Sequence, residues 1–235
     1  MRIDTDKCTA CGACHTICVT EAISHDEGFG VIDDDLCVEC YVCLRSGICP
    51  GEAFIEDVLE WPRILRHTFS AVRPVQSGSG MIDGRGTAEM KTNDVTDRYQ
   101  RGEVGFTVDV GRPGLGASFA DVERIAMAAA DAGVAFEAAN PVTRLMSDTD
   151  TGVFREDVKG ERVLSCILEF HIAQELCLDV IAALERVGAE VDTVFSVGCI
   201  SRCRDDGTAP VKELLERDGV FHRPNGKTNI GLGRA

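Results

Sequence analysis

Residues 8–18 read Cys8-Thr9-Ala10-Cys11-Gly12-Ala13-Cys14-His15-Thr16-Ile17-Cys18, and residues 37–50 read Cys37-Val38-Glu39-Cys40-Tyr41-Val42-Cys43-Leu44-Arg45-Ser46-Gly47-Ile48-Cys49-Pro50. The first spacing is Cys-x2-Cys-x2-Cys-x3-Cys and the second Cys-x2-Cys-x2-Cys-x5-Cys. Both belong to a longer repeat. Ile3-Asp4-Thr5-Asp6-Lys7-Cys8 aligns with Ile32-Asp33-Asp34-Asp35-Leu36-Cys37, and after the fourth cysteine Glu21-Ala22-Ile23 aligns with Glu52-Ala53-Phe54. The offset grows from 29 to 31 because the second copy has two more residues between Cys43 and Cys49. A duplicated unit of this size predicts a pseudo-two-fold domain whose halves each supply one metal site. Three thiolates spaced by three can wrap one polynuclear cluster corner by corner, and small residues such as Gly12 and Ala13 leave amides free to face sulfur. The fourth thiolate must come from elsewhere. A structural zinc site is the plain rival, but zinc motifs rarely pack six cysteines as two three-spaced triples.

The surrounding composition agrees with a metal unit. The chain has 235 residues, 24 Lys+Arg, 39 Asp+Glu and 12 Cys, enough for one or two domains with a real core. Cysteine at about 5% lies below the density of a disulfide scaffold, and eight of the twelve fall between residues 8 and 49. Residues 1–60 hold three basic and thirteen acidic side chains, −10 of the chain's −15. Such acidity argues against nucleic acid and anionic membrane and toward basic protein surfaces. The longest unbroken apolar run is six residues, 125–130, too short to span a bilayer. The first residues lack the apolar stretch of a secretory signal, so a cytoplasmic location is expected, where disulfides are rare.

The cysteine pattern resembles that of the bacterial 2[4Fe–4S] ferredoxins, over residues 1–58. In that family the fourth cysteine of each motif ligates the other cluster. The resemblance implies that Cys8, Cys11, Cys14 and Cys49 hold one [4Fe–4S] cluster, and that Cys37, Cys40, Cys43 and Cys18 hold the second. Two departures stand out: Val19 replaces the usual proline, and the Cys43–Cys49 spacing is longer. None of the eight ligands is missing. Surrounding carboxylates should favour a low potential, although amide–sulfur hydrogen bonds and exposure also act on it.

Beyond residue 60 the pattern changes. Residues 61–102 read as a linker or long loop, rich in glycine. From residue 103 regular periodicity appears: a strand over 104–110, and a helix capped by Ser118 with Val122, Ile125, Ala126 and Ala129 on one face, ending at Gly133. A strand over 134–146 broken at Asn140-Pro141 follows, then a strand over 162–170. A second helix from about Ile172 stacks Leu176, Val180, Ala183 and Val187, and a final strand covers 191–197. The order βαββαβ predicts an α+β chain whose second domain, residues 103–205, is a split βαβ sandwich. Residues 206–235 form a C-terminal helix and tail. Arg112-Pro113-Gly114-Leu115 after the first strand is similar to the start of ACT regulatory domains, which implies dimerisation or small-ligand binding. The glycines of 111–116 suit a tight β–α turn, with anion binding at the helix start as the alternative.

Four cysteines remain. Cys166 in mid-strand and Cys177 in mid-helix read as buried apolar residues, while Cys199 and Cys203 at a strand end suit a third metal site or a redox pair. There is no Ser/His/Asp set, Walker loop or dinucleotide fingerprint, and no catalytic residue can be named. The expected role is an electron-transfer protein or subunit passing low-potential electrons to a partner reductase, with any flavin bound on that partner. Trp61-Pro62-Arg63 and the glycine-rich stretch resemble the N-terminal part of 6-hydroxynicotinate reductases, implying reduction of a nitrogen heterocycle. A ligand- or redox-sensing regulator and a free-standing reductase with a site between the domains, built from the residue 84–96 stretch and the tail at 225–231, are the alternatives. Homo-oligomerisation through the second domain is a further expectation.

Overall fold

A computed structural model of the chain describes residues 1–26, 28–72, 85–87, 98–112 and 116–223. The repeat becomes visible as strand exchange between the two halves. β1 (Arg2–Ile3) precedes the first cysteine loop, and the hairpin of β2 (Ile23–Asp26) and β3 (Phe29–Ile32) separates the two loops. The second loop contains the single-turn α1 (Val42–Arg45) and is followed by β4 (Phe54–Ile55). β1 pairs antiparallel with β4, and β2 with β3, so each two-stranded sheet takes one strand from each copy. Equivalent bonds join them: Asp4 N donates to Ala53 O and Asp33 N to Ala22 O, both at 2.7 Å.

The segment from residue 61 departs from its reading as a linker. It contains α2 (Ile64–Ser70), all seven residues of which are buried. Ile64 packs with Met1, Tyr41 and Leu59 beneath the cysteine loops, whereas Leu65 and Phe69 enter the larger core of the second half. Sequence periodicity misses this helix because Arg66 and His67 are buried too, held by partners distant in the chain. Residues 73–84 and 88–97 lie outside the described residues, and with them most of the glycine-rich stretch.

The second half is built on a four-stranded sheet of β5 (Glu103–Val110), β7 (Ala135–Phe136), β11 (Cys166–Ala173) and β12 (Phe195–Ile200), in spatial order β12-β5-β11-β7. All neighbours are antiparallel. Alternation in β5 sends Val104, Phe106, Val108 and Val110 to one face, where they are fully buried. The same face of β11 presents Cys166, Leu168, Phe170 and Ile172. α3 (Phe119–Asp131) covers it with Val122, Ile125, Ala126 and Ala129, and α4 (Cys177–Gly188) with Cys177, Val180, Leu184 and Val187. Ser118 caps α3 by accepting from Asp121 N at 3.1 Å, which satisfies one of the orphan amides of the first turn.

Several boundaries move. The strand expected over 134–146 shrinks to β7, because the Asn140 side chain accepts from Val142 N at 2.7 Å and turns the chain into a 3-10 turn, Thr143–Leu145. β8 (Met146–Asp148) then pairs with β9 (Val153–Phe154) in a separate hairpin. The strand expected over 162–170 divides: β10 (Arg162–Val163) pairs with β6 (Ala117–Ser118), and β11 runs on to Ala173. α4 therefore starts at Cys177, not Ile172, and Leu176 is exposed while Cys177 takes the buried position. The last strand starts four residues later than expected and ends three later. α5 (Pro210–Arg217) follows, opened by proline at its first turn, and residues 224–235 of the tail lie outside the described residues. Gly111 (φ +87°) and Gly116 (φ +72°) close the turn after β5, and a Cβ on either would lie 2.6 or 2.8 Å from a backbone carbonyl oxygen of Leu164 or Val163. This spacing requires glycine at both ends; residues 113–115 between them lie outside the described residues.

Candidate metal centre

Each cysteine loop is shaped by the same devices at repeat-related positions. Cys8 N donates to Asp4 O at 3.0 Å and Cys37 N to Asp33 O at 2.9 Å. Backbone φ is +53° at Ala10 and +51° at Glu39, +72° at Gly12 and +59° at Tyr41, +55° at Glu21 and +49° at Glu52. Among the described residues, every non-glycine with left-handed backbone belongs to these loops. Each costs about 1–2 kcal/mol, and strain gathered in one place marks a functional site. Left-handed residues rotate successive amides toward one side, forming concave nests for electron-rich atoms.

The amides reach sulfur. Ala22 N donates to Cys18 Sγ at 3.2 Å and Ala53 N to Cys49 Sγ at 3.3 Å, the same contact in both copies. Gly30 N donates to Cys8 Sγ at 3.3 Å. The eight thiols fall into two neighbourhoods. Burial pushes the Cys14 thiol up, and the charges of Cys11, Cys49 and Cys8 add to the effect. Burial pushes Cys43 up to about 12, reinforced by Cys40, Cys37 and Cys18. Cys37 rises to about 11 through burial and the adjacent Glu39. Cys18, Cys37, Cys40 and Cys43 also line one common cavity. Exposed Cys11 departs in the other direction, its thiolate favoured by hydrogen bonding from the Ala13 amide and then the Thr9 hydroxyl.

Thiols held protonated chiefly by burial, as at Cys14, Cys37, Cys40 and Cys43, are donors in need of positive charge, which metal binding supplies while releasing the protons. Soft sulfur donors suit iron–sulfur clusters. Among the described residues, no three His, Cys, Asp or Glu side chains close on a point as a single metal ion requires. Ligands to separate iron corners stand further apart than four thiolates around one zinc, with Zn–S bonds of about 2.3 Å. The residues fit a cluster.

The second loop has a support that the sequence did not disclose. Glu39, fully buried, accepts from the Met1 amine at 2.9 Å and from Arg63 Nε at 2.8 Å. Arg66 donates to Asp34 O at 2.7 Å and Cys37 O at 2.8 Å, and pairs with Glu161 from the second half. His67 Nδ1 lies 2.8 Å from Glu39 O, its ring 4.3 Å from that of Tyr41. The sole sequence signal was an acidic residue between two cysteines of a loop. The longer Cys43–Cys49 spacing is taken up at the surface, where residues 45–48 are exposed, and Val19 is exposed as well. Elsewhere, Cys166 is buried in β11, Cys177 is buried at the start of α4, Cys199 is partly exposed and Cys203 exposed.

Two repeat-related thiol sets, with amides aimed at their sulfurs, define an iron–sulfur protein. Comparison with known proteins narrows this. A 4Fe-4S binding domain model matches residues 1–24. Ferredoxin-1 of Rhodobacter capsulatus is 48% identical over 40 residues, 17% of this chain and 62% of that protein. Ferredoxin Fdx2 of Sorangium cellulosum is 38% identical over 61 residues, 26% of this chain and 60% of the relative. Ferredoxin-2 of Chlorobaculum tepidum is 36% identical over 58 residues, 22% of this chain and 90% of the relative. Through its N-terminal residues the chain belongs to the ferredoxin family, although it spans less than two thirds of the length of the first two relatives. No solved structure matches it.

Proposed function

We propose that the chain carries electrons through two [4Fe–4S] clusters to a partner oxidoreductase, a flavin-dependent reductase being the best candidate. Cys8, Cys11, Cys14 and Cys49 would hold the first cluster, and Cys37, Cys40, Cys43 and Cys18 the second. The observation that carries this reading is the division of the eight thiols into two neighbourhoods that exchange Cys18 and Cys49 between the repeats. When bound, the clusters supply reversible one-electron chemistry. The chain's own residues do the rest: the amides of Ala22, Gly30 and Ala53 donate to the Sγ atoms of Cys18, Cys8 and Cys49 and would favour added negative charge there. α2 fixes the second loop against the remainder of the molecule through Arg66.

Residues 103–205, a split βαβ sandwich of ACT-like order, serve in this proposal as the docking or assembly module. Reduction of a nitrogen heterocycle by the partner, as in 6-hydroxynicotinate reductases, is the substrate class that the Trp61-Pro62-Arg63 stretch suggests. The Arg66 bridge from Cys37 O to Glu161 also favours a second reading, in which the state of the second loop is relayed to this module as a sensor. Iron and acid-labile sulfide analysis of the anaerobically reconstituted chain tests the centre, with about eight of each expected per chain. About four of each would remove one cluster from the assignment. Reoxidation of the dithionite-reduced protein by a flavoprotein, without turnover of any substrate alone, separates electron carrier from free-standing enzyme.

A further inference from the structure

The repeat supplies an internal comparison, because two loops of one design meet different surroundings. Under the offset of 29, Thr9 corresponds to Val38, Ala10 to Glu39, Cys11 to Cys40 and Gly12 to Tyr41. Val38, Glu39 and Tyr41 are buried. Thr9, Ala10 and Cys11 are exposed, and Gly12 is half-buried. The 3-10 turn Ala13–Ile17 of the first loop has no buried residue either. Cys11 is the one exposed thiol of the eight. A Cβ on Gly12 would find His25 Cε1, at 3.5 Å, as its nearest atom from elsewhere in the chain. The exposed rings of His15 and His25 lie 4.4 Å apart beside it.

What covers the second loop is a basic helix with the residue before it. Arg66 of α2 sits on the carbonyl oxygens of Asp34 and Cys37, and His67 against that of Glu39. Arg63 meets the carboxylates of Asp34 and Glu39. The first-loop counterparts of these three carbonyl positions are Thr5, Cys8 and Ala10. Thr5 and Ala10 are exposed and Cys8 is half-buried, so no segment among the described residues shields them as α2 shields the second loop. The residue types match this difference. Val38 and Tyr41 are apolar and suit a permanent contact. Thr9 and Gly12 are small and no more apolar than ordinary surface, as expected where contact is transient. The same copy carries exposed Asp6, Glu21 and Asp26, within a segment that holds −10 of the −15.

We propose that the redox partner docks on the first cysteine loop, seating a basic segment over Thr9–Gly12 and the His15–His25 pair, while the second loop is the inner end that α2 ties to the rest of the chain. This rests on the reading of the chain as a carrier with two clusters. The contact repeats between molecules, at the first copy, the packing of cations on a cysteine loop that α2 makes within the chain at the second. It sets the partner against Cys11, the thiol most open to solvent. Complexes of this kind are small, and their charges govern approach and salt dependence more than strength.

The test uses the full, cluster-loaded chain in its oxidised state, with ferric cytochrome c as the basic partner, in anaerobic low-salt buffer. Neither protein is reduced, so the readout is contact and not electron transfer. Amide hydrogen exchange should slow on addition of cytochrome c over residues 5–17 and stay unchanged over the aligned residues 34–46. Asp6→Lys and Asp35→Lys lie at aligned, exposed positions and shift the net charge equally. Asp6→Lys should weaken binding about tenfold, and Asp35→Lys by about threefold or less, through the long-range field alone. Protection over 34–46 in place of 5–17, protection at neither loop, or equal weakening by the two variants overturns the docking surface. Iron and sulfide counts on the same samples separate this from the underlying reading. About eight of each with protection elsewhere removes the docking surface alone, whereas about four of each removes the two-cluster carrier and the docking surface with it.

Discussion

At Glu39 a single carboxylate sits in the left-handed region, out of contact with water, inside a loop of thiols. Removing a carboxylate from water costs several kcal/mol unless cations meet it, and here the Met1 amine and Arg63 do so. Glu39→Gln keeps the shape but leaves the buried amine with Asp57, 3.3 Å away and partly exposed, as its remaining carboxylate, and leaves Arg63 without its buried partner. A loss of about 3 kcal/mol is expected, measured as a lower urea midpoint of the cluster-loaded protein. An unchanged midpoint would mean that Asp57, not Glu39, satisfies the amine. Gly51 makes a steric demand where Glu39 makes an electrostatic one. A Cβ there would lie 2.3 Å from Lys7 O, a backbone atom with no freedom to move aside. Gly51→Ala should cost about 1–3 kcal/mol as overpacking and speed loss of iron on dilution into chelator. The aligned position of the first copy is Thr20, whose hydroxyl lies 3.7 Å from Cys18 Sγ, so the two copies make different demands at this position.

At the scale of elements, α2 is the joint between the two halves of the molecule. Leu65 and Phe69 belong to the large core, Ile64 to the small one, and Arg66 to both the Cys37 loop and Glu161. Leu65→Ala should destabilise by about 2–5 kcal/mol, as for other fully buried leucines. Arg66→Ala should raise amide hydrogen exchange across residues 34–37, which an ordinary core truncation such as Ile125→Ala would leave alone. Equal exchange in both variants would deny α2 its role as a joint. This helix also marks the boundary of what the sequence discloses. The cysteine motifs are legible because cluster chemistry demands one residue type at fixed spacing, and a repeat doubles the signal. The inward stripes of β5, α3 and α4 are legible because burial imposes a period on nearby residues. Arg66 and His67 read as solvent-facing because the groups that satisfy them lie 28 to 95 residues away. The burial of Asn140, whose side-chain amide donates to Ile167 O at 2.9 Å, likewise arises only when distant segments pack.

Across the whole molecule the charge is divided. Asp6, Glu21, Asp26, Asp33, Asp35 and Glu52 are all exposed around the cysteine loops, within a segment holding −10 of the −15. Asp6 and Asp35 occupy aligned positions in the two copies, so each loop presents a carboxylate to an approaching partner. A field of this kind speeds encounter with a basic surface and is erased by salt, whose screening length falls from about 10 Å at 0.1 M to about 3 Å at 1 M. Reduction of a basic haem protein such as cytochrome c by the dithionite-reduced chain should therefore slow by roughly tenfold between low salt and 0.5 M NaCl, followed by stopped-flow absorbance. Asp6→Lys/Asp35→Lys should lower the low-salt rate and flatten the salt slope. Glu185→Lys/Glu190→Lys changes the net charge by the same amount, at exposed positions in the second half of the chain. If docking follows total charge, the two double variants will slow equally. If it follows the acidic face over the cysteine loops, the second will retain the rate and most of the salt dependence of the parent, because beyond a Debye length its charges no longer reach the partner.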